Sequence, residues 1–306
     1  MLQAAQSHRL RHVIETAPVS RSVVARFVAG AHTEDAVRAT TSLVDEGLTV
    51  TVDHLGEDTN DLGQAEGVRD AYLELLKRLS GSGLTSDGRA EVSLKLSALG
   101  QGLGADGPAI STDFAAAICA AAAQAGTTVT VDMEDHTTTD ATLAAVVDLR
   151  EDFPWVGAVL QSYLRRTEGD CRDLASAGSR VRLCKGAYNE PESVAFADKS
   201  EVDMSYVRCM KVLMGGAGFP MLATHDPRLV DIAGALAVQA GREVGSYEYQ
   251  MLFGIRPDEQ KRLAELGETV RVYLPYGEEW YGYLMRRMAE KPANTVFFLR
   301  ALATKG

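Results

Sequence analysis

AEVSLKLSALGQGLGADGPAISTDFAAAICAAAAQAGTTVTVDMEDH, residues 90–136, carries the unit that decides the fold. A β-branched run (AEVSLKLSALG, 90–100) leads through a loop into an alanine-rich apolar stretch, Phe114 to Ala123, and then into a second β-branched run (TTVTVDMEDH, 127–136). The apolar stretch is about half of the ~20 residues that a membrane-spanning helix needs, and its alanines suit a packed helix. Strand, helix, strand is the building unit of a parallel sheet. The glycines of GQGLGADG (100–107) imitate a dinucleotide-binding turn but lack GxGxxG spacing and do not run straight into a helix, so they are read as a loop.

The same alternation extends in both directions. GLTVTVDHLGE (47–57) lies upstream, and VGAVLQSYL (156–164), RVRLCKGAY (180–188), FPMLATHD (219–226), EVGSYEYQML (243–252) and ETVRVYLPYG (268–277) lie downstream. Eight such runs predict an α/β fold, a closed (β/α)8 barrel over 47–306; an open doubly wound sheet would leave two strand edges exposed. Residues 1–46 predict helices packed on that barrel: an amphipathic Leu2–Thr16, then Ser20–Val28, then Glu34–Asp45 with Thr33 as N-cap. Beyond the strands, Glu278–Glu290 predicts a helix that Pro292 stops, with a last apolar helix from Thr295.

Composition narrows the function. The 306 residues are 46% hydrophobic, enough for a large core, and their net charge of -11 would repel a phosphate backbone, which excludes nucleic acid as a partner. Cys119, Cys171, Cys184 and Cys209 have no paired spacing, so neither a disulfide framework nor a zinc cage is expected, in keeping with a reducing cytoplasm. The N-terminus lacks the apolar core of a secretory signal.

Barrel active sites form at the C-terminal ends of the strands. Those ends carry Asp53 and His54, Lys95 and Ser97, Asp132, Glu134, Asp135 and His136, Gln161 and Tyr163, Arg182, Lys185 and Tyr188, Thr224, His225 and Asp226, Glu248 and Gln250, and Tyr273, while strand interiors read as apolar. On the last helix Tyr283, Arg286, Arg287 and Glu290 share one face. Two guanidinium forks braced by a carboxylate suit the bidentate grip of a small carboxylate; the bland alternative is a solvated face with an intrahelical ion pair. Lys95 and Asp132 could form a substrate-binding cation with its partner, a Schiff-base nucleophile, or a structural ion pair. In VRLCKGAY, Gly186 and Ala187 beside Arg182 and Lys185 suggest a phosphate or an electron-rich ring, or else only a tight turn. Asp132, Glu134, Asp135, His136 and His225 could ligate a metal, but His54, His136 and His225 are the only histidines in the barrel and form no HxH pair, so no metal is expected.

The ordered set SLKLSALG, VDMEDH, LQSYL, VRLCKGAY, ATHD, YEYQMLFGI, VYLPYG and YLMRRMAEKPANT resembles the proline dehydrogenases, both the free-standing bacterial enzymes and the equivalent domain of bifunctional proline utilisation flavoproteins. It runs from the second strand through residue 295 and is loose before residue 30. The resemblance implies a distorted barrel with FAD across its mouth, oxidation of L-proline to Δ1-pyrroline-5-carboxylate on the way to glutamate, and electrons passed to a membrane quinone from a cytoplasmic or peripheral enzyme. It implies that Arg286, Arg287 and Lys95 hold the proline carboxylate, that Tyr273 packs on the ring, that Tyr283 and Glu290 complete the substrate site, and that Asp132 and Arg182 are catalytic, with Asp132 as the partner of Lys95. Flavin contacts carry over to Met133, Gln161, Arg182, Lys185, Gly186, Ala187, Tyr188, Thr224 and His225. Asp226 departs from the Asn that commonly follows Ala-Thr-His in the family. The chain ends soon after the barrel, which implies a separate pyrroline-5-carboxylate dehydrogenase for the product. The rivals are a Schiff-base aldolase using Lys95 or Lys185 and a non-catalytic flavin or proline sensor.

Overall fold

The computed structural model describes residues 24–290, with side chains through residue 285. Eight parallel strands close into a barrel in chain order: β1 (Thr49–His54), β2 (Ala90–Leu94), β3 (Val129–Val131), β4 (Gly157–Gln161), β5 (Arg180–Cys184), β6 (Phe219–Ala223), β7 (Glu248–Leu252) and β8 (Val270–Tyr276). β8 pairs with β1 from Thr49↔Arg271 to His54↔Tyr276, so the barrel has no edge. Each predicted run contains one strand. Helix α1 (Thr33–Asp45) precedes β1, and α2 (Leu62–Gly81), α3 (Gly107–Gln124), α4 (Thr139–Asp152), α5 (Thr167–Leu174), α6 (Lys199–Gly215), α7 (Pro227–Gln239), α8 (Pro257–Glu265) and α9 (Trp280–Glu290) follow the strands in turn.

Two details of the sequence reading change. Thr33 is the first residue of α1 rather than its cap; His32 holds the N-cap position, with its N–H donated to Asp35 Oδ2 at 3.1 Å. GQGLGADG does run into a helix, through a 3-10 turn at Gly104–Asp106 that leads directly to Gly107 at the start of α3, and the Gln101 carbonyl leaves no room for a side chain at Gly107. Of Ser20–Val28, residues 24–27 are helical; the rest of the helices expected before residue 24, and the one from Thr295, lie outside the described residues.

Period-two alternation in the strands separates two environments. Val50, Val52, Val92, Leu94, Val129, Val131, Leu160, Leu183, Leu222, Met251, Val272 and Leu274 join the helices in one buried apolar core. The alternate residues fill the lumen, and the expectation that strand interiors stay apolar fails there. Four carboxylates (Asp53, Glu91, Asp132, Glu248) face four cations (Lys95, Arg180, Arg182, Arg271), so the interior is neutral. Glu91 on β2 reaches across to Arg180 on β5 at 2.7 Å, and Arg271 on β8 meets Glu248 on β7 at 2.9 Å while donating to the Val50 and Gly88 carbonyls. Barrel lumens usually fill with branched apolar side chains. A charged lumen is tolerated here because each charge has an opposite charge and a hydrogen bond.

Burial alone would raise the Glu91 pKa, but Arg180, Arg271 and Arg182 outweigh it and hold the carboxyl well below the usual range. Its stabilising contribution is therefore complete above the pKa of the unfolded chain, about 4.3, and is lost as pH falls. Glu91→Gln strands the facing arginines and should cost about 3–5 kcal/mol in urea unfolding at pH 7, with a correspondingly shallower loss of stability between pH 5 and pH 3. An unchanged midpoint would show that the lumen charges are not coupled in this way.

Candidate active site

Asp53 near the end of β1, Lys95 and Asp132 just past β2 and β3, and Arg182 and Tyr273, which lie in the middle of β5 and β8 rather than at their ends, come together in the upper barrel. Asp132 is the hub. Its Oδ1 accepts from Arg182 Nη1 at 2.6 Å and from Ser93 Oγ at 2.8 Å, and its Oδ2 accepts from Tyr273 OH at 2.7 Å. Lys95 Nζ lies 3.7 Å from Asp132 Oδ2 and 3.5 Å from Tyr273 OH. The nearer carboxylate to Lys95 is Asp53, whose two oxygens lie at 3.0 and 3.1 Å. The expected pair of Lys95 with Asp132 is present, and Asp53 adds a nearer carboxylate; Asp132 is also the nearest carboxylate of Arg182.

Tyr72 from α2 supports this end of the site, donating to the Ser93 carbonyl at 2.6 Å and accepting from His54 N at 3.1 Å. Burial opposes the charge of Lys95, yet Asp53 and Asp132 more than compensate and raise its pKa. A lysine held cationic is a poor imine-forming nucleophile, which counts against the Schiff-base alternative. Burial, then the charges of Asp132 and Asp53, push the Tyr273 phenol well above its usual value, so it remains a neutral donor. The Arg182 guanidinium lies 5.3 Å from the centre of the Tyr273 ring, and its Nε donates to Gln250 Oε1 at 2.5 Å. Gln250 is held in turn by Glu248.

The groups weighed as metal ligands are engaged elsewhere. Ser97 donates its N–H and hydroxyl to the two Glu134 oxygens at 3.1 and 2.6 Å, His136 Nδ1 pairs with Glu190, and His225 Nε2 accepts from Leu252 N at 2.9 Å. Among the described residues no group of His, Cys, Asp and Glu is arranged to hold a metal ion.

On the β4 to β6 side, the Gln161 amide donates to the Met133 carbonyl at 3.4 Å, while Gln161 Oε1 is buried without a partner. Arg182 Nη2 is likewise buried without a hydrogen bond, 3.9 Å from Glu91 Oε1. Lys185 pairs with Asp203 and lies 3.5 Å from Asp226. Thr224 is buried and its hydroxyl accepts from Asp226 N; Ala187 is exposed and Tyr188 half-buried. Gly186 has φ +105°, and the Tyr163 ring occupies the space that a side chain there would need, so this glycine serves close packing within the chain. Tyr163 OH donates to Glu190 at 3.2 Å.

Tyr283 is buried in a cluster with Phe27, Leu55, Ile255 and Leu284. Positions 286, 287 and 290 fall on α9, but the side chains of Arg286, Arg287 and Glu290 lie outside the described ones. A cavity of about 330 Å³ lies between α1 and the start of α8, lined by Leu43, Phe253 and Pro257 among others, and shares no residue with this site.

The proline dehydrogenase family model matches residues 36–300. The chain belongs to the proline dehydrogenase family. It is 38% identical over 279 residues to the proline dehydrogenase of Deinococcus radiodurans, covering 90% of this chain and 89% of that one, and 36% identical over 286 residues to proline dehydrogenase 2 of Bacillus subtilis, covering 94% and 92%. Proline utilization A from Bdellovibrio bacteriovorus, in a crystal structure inactivated by N-propargylglycine, shares the fold with a TM-score of 0.81 and 25% identity. That match covers 89% of this chain, which spans about one third (33%) of the larger protein. Within a proline dehydrogenase barrel, the residue that sequence reasoning missed is Ser93, a partner of Arg182; Gln250 and Asp53 were read as strand-end residues without their partners, Arg182 and Lys95. Their alternate spacing within the strands was the available signal.

Gly186→Ala should lower stability by about 1–3 kcal/mol from backbone strain alone, and more once Tyr163 is displaced. Thermal unfolding followed by tyrosine circular dichroism checks this; an unchanged transition would mean that Tyr163 does not need the space.

Proposed function

We propose that this chain oxidises L-proline to Δ1-pyrroline-5-carboxylate with FAD as the hydride acceptor, and that the electrons pass on to a membrane quinone. The observation that carries the reading is the convergence of Lys95, Tyr273 and Arg182 on Asp132 at the mouth of a family barrel. FAD, when bound, supplies the two-electron chemistry that no side chain offers. Two features fit it. Gln161 Oε1 is a buried acceptor in need of an N–H, and Met133, Lys185, Gly186, Ala187, Tyr188, Thr224 and His225 line the same half of the mouth, on the loops after β3, β5 and β6.

The chain's own groups perform the binding and orientation. Lys95, kept cationic by its carboxylates, would grip the substrate carboxylate together with Arg286 and Arg287, and Glu290 would brace the arginine pair. Tyr273, tethered at its hydroxyl by Asp132, is suited to pack on the pyrrolidine ring, with Tyr283 completing the wall from α9. Arg182 would stand beside the reacting face, fixed by Asp132, Ser93 and Gln250. Holding the ring carbon in one orientation is the main contribution such a scaffold makes to hydride transfer. Among the described residues no helix is long and apolar enough to cross a membrane, so the quinone would be met at the surface of the bilayer. The unstable imine product would pass to a pyrroline-5-carboxylate dehydrogenase.

Anaerobic titration with L-proline tests the reading. The purified protein should be yellow and should bleach, and Arg286→Lys should raise the KM for proline at least about tenfold, the equivalent of one lost charge-assisted hydrogen bond of ~1.4 kcal/mol or more. A colourless protein that stays inert with added FAD would overturn the function, and unchanged kinetics in Arg286→Lys would overturn the clamp.

A further inference from the structure

Lys185, just beyond the end of β5, is tied into a ring of four charges. Its Nζ pairs with Asp203 of α6 and lies 3.5 Å from Asp226 Oδ2 at the start of α7. Arg228 Nη2 bridges the same two carboxylates, at 3.0 Å from Asp203 and 2.7 Å from Asp226, and Arg228 Nε donates to Asp226 Oδ1 at 3.1 Å. Two cations and two carboxylates cancel. Both carboxylates are largely covered, whereas Arg228 is 70% exposed.

A phosphate that approaches Lys185 therefore meets a lysine already neutralised, with two carboxylates at its back. The attraction of one cation is offset by like-charge repulsion acting over nearly the same distance. Asp203 is in close contact with Lys185, while Asp226 stands further off and contributes mostly charge. The hydrogen bond from Arg228, together with that from its backbone N–H and the nearby Lys185, holds the Asp226 carboxyl well below the usual range, so it is ionised near neutral pH.

We propose that Asp226 sets how tightly this chain holds its dinucleotide cofactor, by competing with the cofactor's pyrophosphate for Lys185. The inference rests on the reading above that FAD binds and that Lys185 contacts it. Arg228 has the opposite effect, since it neutralises both aspartates. The design leaves a clean substitution. Asp226 also caps α7 by accepting from Arg228 N at 3.1 Å, and asparagine caps a helix as well as aspartate does, so Asp226→Asn removes the charge and keeps the cap.

The test is titration of FAD into the full chain, followed by quenching of flavin fluorescence, in parallel with riboflavin, which has the same ring system and no phosphate. Asp226→Asn should bind FAD about tenfold more tightly, the scale of one charge interaction over a few ångströms near a protein surface, and Arg228→Gln should bind it more weakly. Riboflavin affinity should stay the same in both variants. FAD affinity that is unchanged or reduced in Asp226→Asn, while the parent chain binds FAD, overturns the proposal. So does an equal gain for riboflavin, because the effect would then not come from the phosphates. Absence of FAD binding in parent and variants alike overturns the cofactor reading itself, and this inference falls with it.

Discussion

Asp132 accepts hydrogen bonds from Ser93 on β2, Arg182 on β5 and Tyr273 on β8, while its own backbone N–H donates to the Leu94 carbonyl. One carboxylate thus ties three other strands at the level where the lumen opens. Removing it would leave a buried guanidinium without its nearest carboxylate, a phenol without its acceptor, and Lys95 with one carboxylate instead of two. Packing of the upper lumen and placement of the chemical groups depend on the same interaction.

Below that level the lumen repeats the logic with Glu91, Arg180, Arg271 and Glu248. Arginines that reach across the barrel replace the branched apolar layers common in such folds. A neutral column of paired charges offers less adaptable packing than leucine would. It fixes the relative rotation of β2, β5, β7 and β8, and the mouth inherits that rigidity. Gln250 shows the link, since it is held by Glu248 from below and holds Arg182 above.

The eight strands were legible because each is a β-branched run bounded by turn residues, and the closed order follows from their number. The helix-facing half of each strand is as apolar as expected. The lumen half was misread: Glu91, Arg180 and Arg271 fall in the first two residues of β2, β5 and β8, where a window average sees mostly Val and Leu, and Glu248, read as a C-terminal strand end, is the first residue of β7. The partners of Lys95 were ambiguous for a related reason. Asp53 and Asp132 both end strands that flank β2, and no spacing in the sequence says which is nearer. Gly186 was read as close to a ligand or else as part of a tight turn, and its neighbour is Tyr163, which follows β4 and meets Gly186 after β5 only because the two strands are adjacent in the barrel.

If the Asp132 hub organises the site, its partners must act as one unit. Double-mutant cycle kinetics with Asp132→Asn and Tyr273→Phe, read as kcat/KM for proline-dependent dye reduction, measure that coupling. The double variant should lose far less than the product of the two single losses. Losses that multiply would mean that Asp132 and Tyr273 act independently and that the hub does not exist.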